Sequence, residues 1–139
     1  SHACTPVSAK VLHKEEGTRI IAVSHQADPA KVRELEKLAT VIIAGDERVD
    51  LAQMMEELGR MKIRRVMVEG GGTLIAGLIE AGLVDEIYTF VGNIIIGGKD
   101  APTLADGPGF VKETEFCRLV LLEARKIEDR VLLHWKVER

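Results

Sequence analysis

The sequence predicts an α/β fold in which a mostly parallel sheet ends in an antiparallel strand pair. Three observations predict it. Short apolar runs alternate with stretches of helical period as far as residue 81, the pattern of right-handed strand–helix–strand crossovers. That alternation then stops, and Phe116 to Ala124 and Arg130 to Val137 read as two strands with a short polar connection. The third is the stretch Val66-Met67-Val68-Glu69-Gly70-Gly71-Gly72-Thr73-Leu74-Ile75: a strand, a carboxylate, three glycines and a helix start.

Each element has its own local signals. Residues 1–18 are irregular, with Pro6 and Gly17 as breaks. Ile20-Ile21-Ala22-Val23 is a continuous apolar run, the mark of a strand covered on both faces. Asp28-Pro29 supplies an N-cap and a proline at the first helical position, and Val32, Leu35, Leu38 and Ala39 keep helical spacing over about 29–39. Val41-Ile42-Ile43-Ala44 is a second buried strand, closed by Gly45. Asp50 caps the next helix with Gln53 in capping-box position. Leu51, Met54, Met55 and Leu58 form its inward stripe and Gly59 ends it; the methionines at that spacing read as core. After the strand at 66–68, a helix spans 73–81 with Leu74, Ile75, Leu78 and Ile79 inward and Gly82 at the C′ position. Asp85 to Val91 is a strand that Ile94-Ile95-Ile96 continues or bends, and 99–115 is a long loop of the kind that is usually functional or covering.

Composition narrows the function classes. A chain of 139 residues is one domain by length, and 46% hydrophobic with 29% charged residues is a globular profile. A formal charge of −3 argues against nucleic acid as partner. No apolar run approaches the roughly 20 residues of a membrane helix, and no signal-peptide pattern opens the chain. Cys4 and Cys117 match no metal spacing and read as reduced thiols, which points to the cytoplasm. The opening Ser1-His2-Ala3-Cys4-Thr5-Pro6 reads as the middle of a loop, so an N-terminal part of the fold is expected to precede it.

The glycine stretch carries the functional argument. Glycines between a strand end and a helix N-terminus let another molecule approach bare backbone, and they aim N–H groups and the positive helix end at it. That suits a phosphate or pyrophosphate; the alternative is a tight turn with no ligand. Each extra glycine costs about 0.5–1 kcal/mol in ordering entropy, which weighs against a turn alone. Glu69 ends the strand at the carboxyl edge, where α/β proteins place ligands. The glycines are not a Rossmann fingerprint, because Ile75 stands at the third glycine position. Gly92 to Lys99 is not a P-loop: Asn93 replaces the first glycine and Asp100 the Ser/Thr. His2, His13, His25 and His134 lack ligand spacing, so no metal is expected. His134 reads as structural, and His25 as either loop surface or a ligand contact near that edge.

Val68 to Leu74, Gly77-Leu78-Ile79 and Ala81-Gly82-Leu83-Val84-Asp85-Glu86 together resemble the reductase domain of riboflavin biosynthesis. That family is dihydrofolate-reductase-like, a three-layer α/β/α fold. It includes the C-terminal half of bacterial bifunctional deaminase-reductases and the stand-alone archaeal and fungal reductases. Gly97-Gly98-Lys99-Asp100-Ala101-Pro102-Thr103-Leu104 is similar to the family's loop after the following strand, and Thr5-Pro6 with Ala9 to Leu12 to the segment entering its cofactor half. The resemblance implies NADPH-dependent reduction of the ribosylamino group of a pyrimidinone 5′-phosphate to ribitylamino, hydride going to C1 of the ribose. By position, Gly70-Gly71 would be a cis bond, and Gly70, Gly71, Gly72, Thr73 and Leu74 would line the pyrophosphate. Ser24 and His25 align with the loop receiving the adenosine 2′-phosphate, and Glu69 would contact substrate or ribose hydroxyls.

The family's first strand, the helix after it and the substrate-contacting loops have no counterpart in 1–139, and Asn93 stands where many members have proline. The chain is therefore expected to be a single, N-terminally incomplete NADPH-binding domain, poorly active alone and homodimeric, with a small-molecule substrate. A folate-type reductase of the same fold and a non-catalytic nucleotide-binding module are the competing readings.

Overall fold

The computed structural model describes residues 2–98, 101 and 103–138; Lys99, Asp100 and Pro102 of the loop quoted above lie outside the described residues. The chain divides into two compact units, Ser1–Met67 and Val68–Arg139.

In the first unit β1 (Ile20–Val23) runs parallel to β2 (Thr40–Ile43), with Ile20 opposite Thr40 and Val23 opposite Ile43. The crossover is α1 (Pro29–Glu36), and α2 (Leu51–Arg60) follows β2. Helix α1 starts where expected, because the Asp28 carboxylate accepts the Ala30 N–H at 2.8 Å and Pro29 opens the first turn. It ends three residues earlier than the sequence spacing suggests. Leu38 and Ala39 both donate to the Leu35 carbonyl in a closing turn rather than extending the helix. Its buried side chains, Val32 and Leu35, pack with Val23, Ala27, Leu12 and Ala3 into the core of this unit. Leu12 reaches that core from a single 3-10 turn, Lys10–His13, inside the segment expected to be irregular. Strand β2 is not covered on both faces: Ile42 is buried while Ile43 is half exposed.

Helix α2 begins as expected and ends differently. The Asp50 carboxylate accepts the Gln53 N–H at 2.9 Å. Gly59 lies inside the helix, and the turn that ends it is a Schellman motif: Lys62 donates to the Gly59 carbonyl and Ile63 to that of Leu58. Lys62 adopts the left-handed conformation there, φ 65°, without glycine's freedom.

The second unit holds α3 (Gly72–Glu80) and three antiparallel strands, β3 (Glu86–Val91), β4 (Leu119–Ile127) and β5 (Arg130–Val137), in the order β3-β5-β4. The C-terminal pair therefore has a third member. Tyr88 of β3 faces His134, and a bulge interrupts the β4–β5 ladder between Leu121 and Glu123. Helix α3 ends in a second Schellman motif at Gly82, φ 65°, as its position in sequence requires.

Two strand expectations fail. Val66-Met67-Val68 forms no strand, and Met67 is 82% exposed. A strand exists only through its ladder partners, and no described strand pairs with this stretch. Ile94-Ile95-Ile96 likewise leaves the sheet after Val91 and is exposed throughout. The α/β class with a parallel and an antiparallel part stands; the parallel ladder among the described residues is the β1–β2 pair.

Candidate functional site

The sequence-expected site residues fall into two groups, each placed by its own unit. In the first unit, parallel β1 and β2 end side by side, so Ser24-His25 and Ala44-Gly45 share one carboxyl edge. The Ala44 N–H continues the ladder to the Val23 carbonyl, and the His25 N–H donates to the Gly45 carbonyl at 2.9 Å. Ser24 is buried and its hydroxyl donates to the Glu47 carbonyl at 3.3 Å. The His25 side chain is 64% exposed; its Nδ1 lies 2.9 Å from the Gly45 carbonyl and 3.6 Å from the Asp46 carboxylate.

Gly45 makes this corner possible. Its φ of +77° is a glycine conformation, and a Cβ there would run into the Arg48 carbonyl and come within 2.7 Å of the Asp50 N. Its own N–H donates to Gln53 Oε1 at 3.0 Å. Gln53 therefore makes only half of a capping box: its backbone is capped by Asp50, while its side chain reaches to Gly45 rather than to the Asp50 N–H, which donates to the Ala44 carbonyl. Nothing in the sequence pattern distinguishes that use from an ordinary capping box.

In the second unit Gly71 is the N-cap of α3 and offers no side-chain cap. Leu74 and Ile75 return their N–H groups to the Gly71 carbonyl. The N–H groups of Gly70, Gly71, Gly72 and Thr73 meet no acceptor among the described residues. These are the orphan donors of a helix start, at the positive end of its dipole. A Cβ on Gly71 would meet open space, and its φ of −63° suits any residue, so the fold itself does not demand glycine there. At Gly70 a Cβ would come within 2.9 Å of Leu74 Cδ2, the far end of a side chain that can shift. The Gly70–Gly71 peptide is trans, in contrast to the cis bond that the resemblance implies.

Gly72 is different. The Asp106 carboxylate lies directly against it, where a Cβ would come within 2.8 Å even of the farther oxygen. The Thr103 hydroxyl holds that carboxylate at 2.5 Å. A diphosphate approaching Gly72 therefore meets a like charge that has to withdraw first. No sequence signal singles out Asp106 within its long loop. Past it, a hollow of about 450 Å³ opens between α3 and the loop, bordered by Ala76, Ile79, Glu80, Phe110 and Cys117. Glu69 is exposed and makes no ion pair or hydrogen bond among the described residues.

His134 is held by neighbours on its own sheet. Its ring stacks on Tyr88 at 4.2 Å and Nε2 lies 3.0 Å from Glu86. Among the described residues no group of His, Cys, Asp and Glu is arranged to hold a metal ion. Nor, among those residues, is any helix long and apolar enough to cross a membrane.

Residues 1–133 match the RibD C-terminal domain. The chain belongs to that family. It is 47% identical over 123 residues to the 2,5-diamino-6-ribosylamino-4(3H)-pyrimidinone 5′-phosphate reductase of Archaeoglobus fulgidus, a match covering 88% of this chain and 54% of that protein. It is 40% identical to the protein of the same name from Methanothermobacter thermautotrophicus, over 99% of this chain and 63% of the relative. The chain thus spans a little over half the length of these curated relatives. Among solved structures, Acinetobacter baumannii RibD is similar with a TM-score of 0.72 at 21% identity, covering 97% of this chain and 35% of that one. A pyrimidine reductase-like protein from Corynebacterium diphtheriae gives 0.69 at 18% identity, over 86% of this chain and 50% of that one. Both likenesses concern the fold, which is that of RibD and pyrimidine reductase-like proteins.

Proposed function

We propose that this chain is the cofactor-binding part of an NADPH-dependent reductase of riboflavin biosynthesis, reducing the ribosylamino side chain of a pyrimidinone 5′-phosphate to ribitylamino. The observation that carries the reading is the run of N–H groups at 70–73 that meet no acceptor among the described residues, beside an open Gly71, in a RibD C-terminal domain family member. Backbone donors at a helix start suit a diphosphate, and a bare Cα lets it come close. The residues present fit that group once Asp106 is displaced.

Bound NADPH supplies the hydride that goes to C1 of the ribose. The protein's share is to bind, orient and balance charge. Gly70 to Leu74 take the pyrophosphate, and the Ser24-His25 turn takes the adenosine 2′-phosphate through His25, since the Ser24 side chain is buried and donates to the Glu47 carbonyl. Glu69, exposed and unpaired among the described residues, meets substrate or ribose hydroxyls and offsets positive charge as the ribose opens to an imine. Replacing it by glutamine in the complete enzyme lowers kcat/KM if that role is right, and leaves it untouched if not. A homodimer is proposed on the exposed apolar residues of β3 and β4, among them Tyr88, Phe90, Leu121 and Leu122. Free thiols at Cys4 and Cys117 suit a cytoplasmic location.

A second reading, a nucleotide-binding module without catalysis, draws on the Asp106 carboxylate already standing against Gly72. Titration of the chain with NADPH and NADH, followed by nicotinamide fluorescence, tests both. A clear preference for NADPH supports the reductase; absence of binding removes it.

A further inference from the structure

The carboxyl edge of β1 and β2 contains a chain of contacts that ends on His25. Gln53 Oε1 accepts the Gly45 N–H at 3.0 Å. The carbonyl of Gly45 accepts from His25 twice, from its backbone N–H and from ring Nδ1, both at 2.9 Å. A carbonyl oxygen can only accept, so Nδ1 must carry a hydrogen. Asp46 Oδ1, 3.6 Å from the same nitrogen, favours that proton too, and it is the one charged group within ion-pairing distance of the ring among the described residues. The other nitrogen, Nε2, meets no partner among the described residues and lies on an exposed side chain.

We propose that Gln53 is a positioning residue which, by holding the backbone of Gly45 on the other side of its Cα, fixes His25 with Nδ1 protonated and Nε2 outward, so that only the imidazolium form can donate to a phosphate. The hydrogen bond on one ring nitrogen sets the state of the other. With Nδ1 committed to Gly45, a neutral His25 presents a lone pair through Nε2 and repels a phosphate oxygen. A protonated His25 presents an N–H. This rests on the reading of Ser24-His25 as the 2′-phosphate contact and adds to it a residue, a tautomer and a pH dependence. The preference for NADPH over NADH therefore depends on whether Nε2 carries a proton. Because the ligands differ only in the 2′-phosphate, contacts shared by both cancel in the ratio.

The test uses Gln53→Leu, which removes the acceptor, and Gln53→Glu, which keeps it. Long-range ¹H–¹⁵N spectra of the histidine rings report which nitrogen of neutral His25 carries the proton. The expected result is Nδ1 in the wild type and in Gln53→Glu, and a shift toward Nε2 in Gln53→Leu. In parallel, Kd ratios for NADPH and NADH are measured over a pH series. Over the range in which the 2′-phosphate is doubly ionised, the wild-type ratio favours NADPH most at the low-pH end. In Gln53→Leu the low-pH advantage shrinks several-fold and the slope flattens, because a freed ring can offer Nε2–H while neutral. An Nε2 proton on neutral wild-type His25, or a tautomer that Gln53→Leu leaves unchanged, overturns the inference without reference to any ligand. A tautomer that shifts as expected while the wild type binds NADPH no better than NADH keeps the hold of Gln53 on the ring and removes the 2′-phosphate assignment instead.

Discussion

The loop entering α2 and the stretch entering α3 both deliver the chain into a helix N-terminus, and they are built in opposite ways. Before α2, the polar groups have partners within the chain: Asp50 caps Gln53, Gln53 holds Gly45, and Gly45 holds His25. At the start of α3, Gly70 to Thr73 meet no acceptor among the described residues and Gly71 leaves space beside them. Glycine serves both, for different reasons. At 45 the chain itself needs the missing Cβ; at 71 it does not. A glycine that the fold does not require, beside donors that meet no acceptor among the described residues, is the feature on which the proposed diphosphate contact rests.

Substitutions can break or sharpen that contrast. The largest expected effect is at Gly45. Alanine there would force φ +77° on a residue with a Cβ and drive it into the loop before α2, and we expect a loss of about 2–4 kcal/mol. A fall in the urea midpoint checks it. Gly71→Ala should leave that midpoint at or slightly above the wild-type value, since its φ of −63° is ordinary and the Cβ meets nothing. It should nonetheless weaken NADPH binding about tenfold, or ~1.4 kcal/mol, which a fluorescence titration reads. Equal binding by Gly71→Ala and wild type would remove the distinction drawn between the two glycines. Asp50→Ala deletes the cap of α2 and should cost about 1 kcal/mol in the same unfolding experiment. Asp106→Asn should produce the smallest change, a gain of a few-fold in NADPH affinity that shrinks as salt is added, because it removes one like charge beside Gly72.

Features decided by neighbours in sequence were legible there. Asp28 with Pro29, Asp50 with the Gln53 N–H, and Gly82 after α3 are all local hydrogen-bond or φ requirements, and the chain adopts each of them. Features decided by distant partners were not. Val66-Met67-Val68 has strand composition, but composition supplies no ladder partner. Leu12 looked like loop because its burial depends on Val23 and Leu35, residues 11 and 23 positions away. Lys62 takes a left-handed conformation that sequence rules reserve for glycine, so Gly59 seemed the better stop. For the proposed site, the glycine run stood out through residue type alone. Asp106 did not, since a carboxylate in a long loop carries no mark of where it will rest. The trans Gly70–Gly71 peptide departs from an expectation that came from resemblance and not from the residues themselves.

The order β3-β5-β4 leaves β4 as an outer strand of its sheet, with β5 as its one ladder neighbour among the described residues. Its two halves differ in kind. Glu123, Arg125 and Lys126 put charge along one half, while Leu119-Val120-Leu121-Leu122 is uncharged and each of the four is at least 38% exposed. Charged side chains discourage one margin strand from zipping onto another, and a bare apolar run invites it. Self-association of this polypeptide at high concentration should therefore nucleate on residues 119–122 and end at the bulge, so a lysine at Val120 is the substitution that would keep preparations clear.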